Sequence, residues 1–289
     1  YEVTVLDNLA TGVPEHVPED AVLVEGDVGE RDVVDEVVAG GDFGAVFHIA
    51  GQASIRISFA EPDIDLRTNV IGTVNVVRAC IDAGVPRLVY ASSMTAYGEP
   101  DRIPTPEDVA CVPVSYYGVT KYAAERYAQI TGDRPDVELA VTSLRMFNVY
   151  GPRQGLENPY QGVLAILLGN VLRGEPITIH GDGEQTRDFV YVEDVVDAWM
   201  RVLDDPRTHG TVLNVGSGVE TSVNELADAV LAALGESRET WEIRRQDVQL
   251  GDQRRAAADT TSLSALRWSP KVVLVDGIAR TAEWARSVS

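Results

Sequence analysis

The sequence predicts an α/β protein built around a doubly wound parallel sheet. Through the first half, short apolar runs alternate with segments of helical periodicity, a pattern typical of parallel strands joined by crossover helices. The predicted strands are residues 2–6, 21–25, 45–49, 87–91 and 140–145, and the predicted helices are 31–39, 63–83 and 116–131. Ligands of such sheets bind at the carboxyl ends of the strands.

The start of the chain departs from this pattern. YEVTVLD is already a strand, and the 289 residues contain no GxxGxxG turn of the kind that holds a pyrophosphate at a helix N-terminus. A doubly wound sheet normally keeps its first strand at the centre. We therefore expect the natural protein to begin with a further strand, glycine-rich turn and helix of roughly 25 residues.

The second half of the chain has a different pattern of predicted elements. After Gly151, loop-like sequence is followed by a strand pair and a helix, and amphipathic helices are predicted at 221–235 and 276–286. The predicted division is a doubly wound domain over residues 1–151 and a smaller lobe over 152–289. Residues 188–215 are expected to thread back to the first sheet.

The composition excludes several classes of protein. A formal net charge of −21 repels polyanions, so nucleic-acid binding is not expected. No run reaches the ~18 apolar residues of a membrane span and no leader is visible, so a cytoplasmic location is expected. Cys80 and Cys111 lack metal-ligand spacing, so we expect no metal. Only Lys121 and Lys271 are lysines among the 24 basic residues, so a lysine here needs a chemical reason.

Tyr117 and Lys121 carry the strongest local signal. They are four residues apart on a predicted helix, so their side chains share one face. Lowering a phenol pKa from ~10 to near 7 takes about 4 kcal/mol, which a neighbouring ammonium and a cofactor cation can supply. Tyr117 is then a candidate general base. The alternatives are that Tyr116 is the functional tyrosine or that the pair merely lies on a solvated helix.

A serine-rich turn, Ser92 to Gly98, follows the predicted strand at 87–91. A hydroxyl at the carboxyl end of a strand can bind a sugar hydroxyl and relay its proton to a phenolate. The alternative is an ordinary turn without chemistry.

Ordered motifs run through the whole chain: DNLATG, EGDV, HIAGQASI, TNVIGTVNV, YASSMTAYG, YYGVTK, LRMFNVYGPRQ, GDGEQTRDFVYVEDVV, LNVGSG and LRWSPKV. Together they resemble the extended short-chain dehydrogenase/reductase family, specifically its nucleotide-sugar epimerases and dehydratases. The resemblance implies that Ser93 is catalytic, with Thr95 beside it, that Tyr117 is the base and Lys121 its helper, and that Asn148 contacts the substrate.

The resemblance also implies that residues 1–151 form a Rossmann-like, NAD-binding domain. Asp7 would bind the adenosine ribose, and an acid there favours NAD over NADP because it repels a 2′-phosphate; the alternative is a loop cap. The other implied cofactor residues are Asn8, Thr11, Gly12, Asp27, Val28, Ala50, Gly51, Gln52, Asn69, Ser93, Tyr117, Lys121 and Phe147.

On the substrate side, the resemblance implies that Arg187 binds the diphosphate of a nucleotide sugar, a UDP-sugar above all. The alternative is a surface salt bridge. The family's Arg-Pro-Gly-Asp motif appears here as Gln249-Leu250-Gly251-Asp252, so Arg254 or Arg255 is the candidate replacement for its arginine. Ala256 stands where some relatives carry an aromatic residue beside the sugar.

Family members begin by oxidising the sugar at C4, and the next step depends on extra groups. Dehydratases and decarboxylases place an acid next to the catalytic Ser or Thr, whereas Met94 and Thr95 stand here. The expected reaction is therefore 4-epimerisation of a UDP-glucose or UDP-galactose type of sugar. N-acetylated sugars of this type are expected to be further substrates. The alternatives are a 4-ketoreductase, a 4,6-dehydratase or a non-catalytic binding protein. Helices 63–83 and 116–131 resemble the family's dimer-forming pair, so a homodimer is expected.

Overall fold

The computed structural model describes residues 1–156, 162–248, 251 and 253–288. It confirms the predicted α/β fold. The strands are β1 Thr4–Asp7, β2 Val22–Glu25, β3 Val46–His48, β4 Arg87–Ser93, β5 Ala140–Met146, β6 Asn148–Tyr150, β7 Ile177–His180, β8 Thr186–Arg187, β9 Phe189–Tyr191, β10 Thr211–Val215, β11 Thr221–Ser222 and β12 Ile243–Gln246. The helices are α1 Arg31–Ala39, α2 Ile55–Ala60, α3 Pro62–Asp65, α4 Gly72–Asp82, α5 Tyr116–Gly132, α6 Val163–Leu172, α7 Val192–Leu203, α8 Val223–Leu234, α9 Thr261–Ser264 and α10 Leu274–Val288.

The chain forms two compact units that alternate along the sequence. Unit 1 comprises Tyr1–Ala96, Ser115–Arg145 and Val202–Val212, and unit 2 comprises Tyr97–Val114, Met146–Arg201 and Leu213–Ser289. The functional division into a cofactor domain, 1–151, and a substrate lobe, 152–289, stays a prediction. No helix in the described part of the chain is long and apolar enough to cross a bilayer.

Unit 1 contains the parallel strands that the sequence predicts. β1 pairs in parallel with β2, and β3 pairs in parallel with β4 in a four-stranded sheet of order β10-β5-β4-β3. Every residue of β4 is buried, as expected of a strand covered on both faces. α1 and α4 pack together, and their valines join Leu88 in one apolar core. Cys80 lies in this core, where burial raises the pKa of its thiol to about 12.

Arg87 anchors the beginning of β4. Its buried guanidinium donates five hydrogen bonds of 2.7 to 3.2 Å to the Ala140, Val202 and Leu203 carbonyls and the Thr142 and Thr208 hydroxyls. Burial lowers its pKa to about 10, which still leaves it charged at neutral pH. The strand that ends at Ser93 is therefore fixed at its opposite end.

The predicted helix at 63–83 is interrupted. α3 ends at Asp65, a π-helical segment runs over Leu66–Ile71, and α4 begins at Gly72. π-Helical turns occur frequently at functional sites. Asn69 lies within this segment and is buried.

Unit 2 is built on its own apolar core. β7 pairs in parallel with β12, β6 with β9, and β8 pairs antiparallel with β11. α6, α8 and α10 supply most of the buried leucines, valines and alanines. α8 begins with a capping box between Ser222 and Glu225 and ends at Gly235, whose φ of 84° suits glycine. The predicted helices at 221–235 and 276–286 correspond to α8 and α10.

Candidate active site

Unit 1 contains Ser93, Tyr117 and Lys121. Ser93 is the last residue of β4, and the other two lie in the first two turns of α5. α5 begins where the Ser115 hydroxyl accepts a 3.1 Å hydrogen bond from the Gly118 amide, an N-cap of the usual kind. Ser93 and Lys121 are buried and Tyr117 is half-buried.

Ser93 is oriented by Thr95. The Ser93 Oγ accepts hydrogen bonds from the Thr95 amide at 3.2 Å and from the Thr95 hydroxyl at 2.9 Å. With both lone pairs engaged, its own proton is left to donate. A hydrogen bond between Ser93 and the Tyr117 phenol lowers the phenol's pKa, as donation to a developing phenolate should.

The pKa of Tyr117 is nevertheless raised above 10. Burial is the largest cause, and the negative charge of Asp65 adds to it. In the protein without cofactor, burial penalises the phenolate more strongly than its neighbours stabilise it. A further positive charge is needed before Tyr117 can act as a base near pH 7.

Lys121 is a buried lysine whose ammonium group lies over an aromatic ring. Its side chain is 4% exposed, and Nζ lies 4.7 Å from the centroid of the Tyr90 ring. Burial lowers its pKa to about 8, against the opposing effects of Asp65 and Glu125. Within residues 1–156, 162–248, 251 and 253–288, Nζ has no hydrogen-bond acceptor. Its three donors are open to a ligand.

A buried polar cluster lies beside Lys121. The Asp65 carboxylate accepts hydrogen bonds from Thr120 Oγ1 at 2.6 Å, from Gln52 Nε2 at 2.7 Å and from Asn69 Nδ2 at 3.1 Å. Asn69 Oδ1 accepts from the Gln52 amide at 2.9 Å, and Asn69 Nδ2 also donates to the Gln52 carbonyl at 3.0 Å. Gln52 and Asn69, two candidate cofactor residues, are thus locked together.

A second buried group lies one helical turn beyond Lys121. Glu125 accepts from Arg145 Nε at 2.9 Å and Arg145 Nη2 at 2.6 Å, and from Ser92 Oγ at 2.6 Å. This bidentate pair ties α5 to β5 and to the residue before Ser93. No sequence pattern pointed to Asp65, Thr120 or Glu125. One signal was available for two of them: Asp65 stands four residues before Asn69 and Glu125 four residues after Lys121, so each shares a helix face with a candidate residue.

At the end of β1, the structure brings together four candidate adenosine-binding residues. Asp7 Oδ1 accepts from the Leu9 amide at 2.7 Å, Asn8 Nδ2 donates to Asp27 Oδ2 at 3.0 Å, and a Cβ on Gly12 would lie 2.8 Å from Asp7 Oδ1. Asp7 therefore caps its loop, as in the alternative interpretation of the sequence, and still presents a second carboxylate oxygen.

The remaining candidates in unit 1 differ in exposure. Thr11 is exposed, whereas Ala50 packs on the apolar core and Val28 is buried with its carbonyl accepting from Asn75 Nδ2 at 2.9 Å. Gly51 is exposed, and a Cβ there would lie 3.0 Å from Asn69 Oδ1 and 3.5 Å from Lys121 Nζ. Glycine at position 51 leaves the backbone beside Lys121 open to close approach.

Unit 2 contains the other candidates. Phe147 is buried, and the Asn148 amide donates to the Asp188 carbonyl at 2.9 Å. Asn148 Oδ1 is buried without a described hydrogen-bond partner, so this acceptor is open to a ligand's donor. Arg187 is 8% exposed and donates to the Thr186 and Gln253 carbonyls at 2.6 and 2.7 Å. This burial does not suit the alternative of a surface salt bridge.

The two arginines after the altered motif are exposed and paired. Arg254 donates to Asp182 at 2.8 and 3.0 Å, and Arg255 Nε donates to Glu220 at 2.9 Å. Exposed pairs of this kind contribute little to stability, so either guanidinium is available to a diphosphate. Ala256 is buried. Gln249, Leu250 and Asp252 lie outside the described residues.

Comparison with known proteins identifies the family. The profile of the NAD dependent epimerase/dehydratase family matches residues 1–216. The chain belongs to this family. It is 37% identical to a UDP-glucose 4-epimerase of Mycolicibacterium smegmatis over 295 aligned positions, covering 100% of the chain and 92% of that protein.

Solved structures agree with this family. The UDP-glucose 4-epimerase of Thermotoga maritima, crystallised with UDP-glucose, superimposes with a TM-score of 0.94 at 36% identity, covering 100% of this chain and 92% of that one. The UDP-glucose 4-epimerase of Thermus thermophilus, in complex with NAD, gives a TM-score of 0.92 at 34% identity with the same coverage.

The residues of unit 1 fit the family's cofactor. An ammonium without an acceptor beside an exposed glycine backbone suits a ligand rich in hydroxyl oxygens, and the free Asp7 oxygen suits a ribose diol. No cluster of side chains suited to a metal ion occurs in the described part of the chain.

The burial of Lys121 predicts a pH-dependent cost in stability. Its pKa falls from 10.5 to about 8 on folding, so between these values the unfolded chain binds more protons and stability rises with pH. Below pH 8 the cost is fully present, at about 3 kcal/mol. In nucleotide-free protein, Lys121→Met should therefore raise the free energy of unfolding at pH 7, and the gain should vanish towards pH 10.5.

Urea unfolding at several pH values measures this difference. Lys271→Met is the matched control, because the Lys271 side chain is 66% exposed and its loss should give no such pH dependence. A Lys121→Met protein that is less stable than wild type at pH 7 would contradict the prediction.

Proposed function

We propose that the protein is a UDP-hexose 4-epimerase that interconverts UDP-glucose and UDP-galactose through a transient 4-keto sugar. One observation carries the proposal: Ser93, Tyr117 and Lys121 lie in unit 1 with the donor pattern that proton transfer needs, while Met94 and Thr95 offer no acid for elimination. The relatives named above, which are UDP-glucose 4-epimerases, support the same reaction.

In the proposed mechanism, the Tyr117 oxygen removes the proton of the sugar 4-hydroxyl. The Ser93 hydroxyl, held by Thr95, donates to the Tyr117 oxygen and guides the sugar hydroxyl towards it. NAD, when bound, would supply the hydride acceptor and donor for C4. On return, Tyr117 gives its proton to the oxygen at C4, so the enzyme ends each cycle in its starting state.

Lys121 contributes to the chemistry by binding the cofactor whose charge the phenol requires. Burial and the charge of Asp65 raise the pKa of Tyr117, so the base functions only when positive charge is added nearby. In this proposal the open donors of Lys121 would hold the cofactor ribose, and the cofactor would supply the positive charge that the phenol needs. Catalytic competence of Tyr117 thus depends on cofactor binding.

Recognition of the nucleotide sugar is assigned to unit 2. The open Asn148 Oδ1 would accept from a sugar hydroxyl, and Arg187 with Arg254 or Arg255 would bind the diphosphate. Purified protein should turn over UDP-galactose without added NAD and hold close to one NAD per subunit. A ketoreductase would instead consume added NADPH, and a binding protein would show no turnover.

Replacing Tyr117 by Phe should abolish epimerisation while leaving NAD bound. The substitution removes only the proton-accepting oxygen, and general acid–base catalysis contributes about 10²–10⁴-fold. Initial rates with UDP-galactose, together with the NAD content of the purified variant, measure both effects.

Tyr116→Phe is the control for this experiment. The Tyr116 side chain is 51% exposed, with its ring 5.0 Å from that of Phe59, so loss of its hydroxyl should leave the rate unchanged. More than a few per cent of the wild-type rate in Tyr117→Phe would show that the base is misassigned.

A homodimer is the proposed assembly. α5 exposes Tyr116, Val119, Tyr127 and Ile130 at about half or more of their surface, and their helical spacing places them on one stripe. Ile64 and Ile71 are similarly exposed on the neighbouring segment. Apolar stripes of this kind mark protein–protein interfaces.

Light scattering should therefore give a species of twice 31.3 kDa at micromolar concentration. Tyr127→Arg combined with Ile130→Arg should shift it to the monomer, because two charges would enter an apolar contact. A monomeric mass for the unaltered protein would remove this proposal.

Ala256 is the proposed determinant of sugar breadth. An alanine leaves space that a tyrosine would fill, and overpacking costs about 1–3 kcal/mol, or roughly 5- to 150-fold in a binding ratio. Both UDP-glucose and its 2-acetamido counterpart should be epimerised, and Ala256→Tyr should selectively impair the acetamido sugar. The measurement is kcat/KM for both sugars in both proteins, and an unchanged ratio would place the gate elsewhere.

A further inference from the structure

Asp65 is a buried carboxylate that the mechanism has not used. It is 0% exposed and accepts its three side-chain hydrogen bonds from Thr120, Gln52 and Asn69, all neutral groups. Among the described residues no cation lies within ion-pair distance of it. A buried charge without a counter-charge is costly. A cation in the same region would therefore stabilise the charged form of Asp65, even without a direct ion pair.

That cation is Lys121. Thr120, which donates to Asp65 at 2.6 Å, is its neighbour in the sequence, and Asn69, which also donates to Asp65, shares the surroundings of Gly51 with Lys121 Nζ. Burial raises the pKa of Asp65 and lowers the pKa of Lys121 to about 8, and in each case the charge of the other group opposes the shift. The two groups are electrostatically coupled across the helices that carry them.

The other groups around Lys121 cannot replace Asp65. Glu125, one turn further along α5, also raises the pKa of Lys121, but its charge is paired directly with the Arg145 guanidinium. On β3, burial lowers the pKa of His48 to about 3, so it is uncharged at neutral pH. On β4, burial raises the pKa of Tyr90 well above 10, and on α5 burial also raises the pKa of Tyr117, so its phenol is neutral in the protein without cofactor. Asp65 is the uncompensated negative charge in this set.

We propose that Asp65 is a positioning residue whose carboxylate holds α5 through Thr120 and keeps Lys121 in the ammonium form. The role rests on the proposed function, since Lys121 acts there on the cofactor and on Tyr117. Asp65 itself touches neither substrate nor cofactor in this proposal. It sets the charge state of the residue that does.

The low lysine content allows a direct test. In Lys271→Arg protein labelled with ¹³Cε-lysine, Lys121 gives the single side-chain resonance, and its titration can be followed by NMR in the protein as purified. Asp65→Asn keeps the shape and removes the charge. It should lower the titration midpoint of Lys121 by about one pH unit or more.

Asp63→Asn is the matched control, because Asp63 lies on the same helix and is exposed. In this variant the titration midpoint of Lys121 should equal that of the parent protein. Asp65→Glu retains the charge and should keep the midpoint within about half a unit. This variant also carries the test if Asp65→Asn does not fold. An unchanged midpoint in Asp65→Asn, or a fall of a full unit in Asp65→Glu, would overturn the proposal.

Activity supplies a second readout. In Asp65→Asn, the alkaline limb of kcat/KM for UDP-galactose should move to lower pH by the same amount as the NMR midpoint. A merely structural role would lower the rate equally at all pH values and leave the limb in place, which would also overturn the proposal. If the wild type turns over no UDP-sugar, the proposed function fails, whereas the NMR result on Asp65 and Lys121 stands independently.

Discussion

The burial of one ammonium group, that of Lys121, is the constraint on which the rest of the site depends. Burial of a charge is costly, and unit 1 offsets part of this cost with the quadrupole of Tyr90, the carboxylate of Asp65 and the paired Glu125. These groups come from β4, α3 and α5. The demand of a single side chain therefore explains why several distant segments carry buried polar residues.

Compensation by charge at a distance has a chemical advantage over a direct ion pair. A lysine bonded to a carboxylate would have its donors occupied, and a ligand would have to break that contact. Here Asp65 uses its hydrogen bonds on Thr120, Gln52 and Asn69, so Lys121 keeps its donors open. The network is satisfied internally, which fixes the geometry before any ligand arrives.

The sequence predicted the helices and strands and named candidate reacting groups, but it did not reveal the residues that support them. Helical spacing made Tyr117 and Lys121 candidates, whereas Ser93 was singled out within its serine-rich turn by the family resemblance, and the roles of all three stay predictions. Asp65 could not be predicted in the same way, because its partners stand at residues 52, 69 and 120 and meet only after folding. The π-helical turn at Leu66–Ile71 was also missed, since the apolar periodicity continues across it. The effect of burial on the Tyr117 pKa likewise depends on packing, which no local spacing reports.

Gly98 ends the serine-rich turn, Ser92 to Gly98, in a backbone conformation that favours glycine. It lies five residues after Ser93, has a φ of 67°, and a Cβ there would collide with the Val112 carbonyl. Its own carbonyl accepts a hydrogen bond from Gln253, and the next residue, Glu99, accepts from the Arg254 amide at 3.1 Å. The segment that carries Ala256, the proposed determinant of sugar breadth, is thus hydrogen-bonded to residues that follow Ser93 closely in the sequence. With the roles proposed above for Ala256 and Ser93, we expect substitutions that widen the choice of sugar to change turnover as well as affinity.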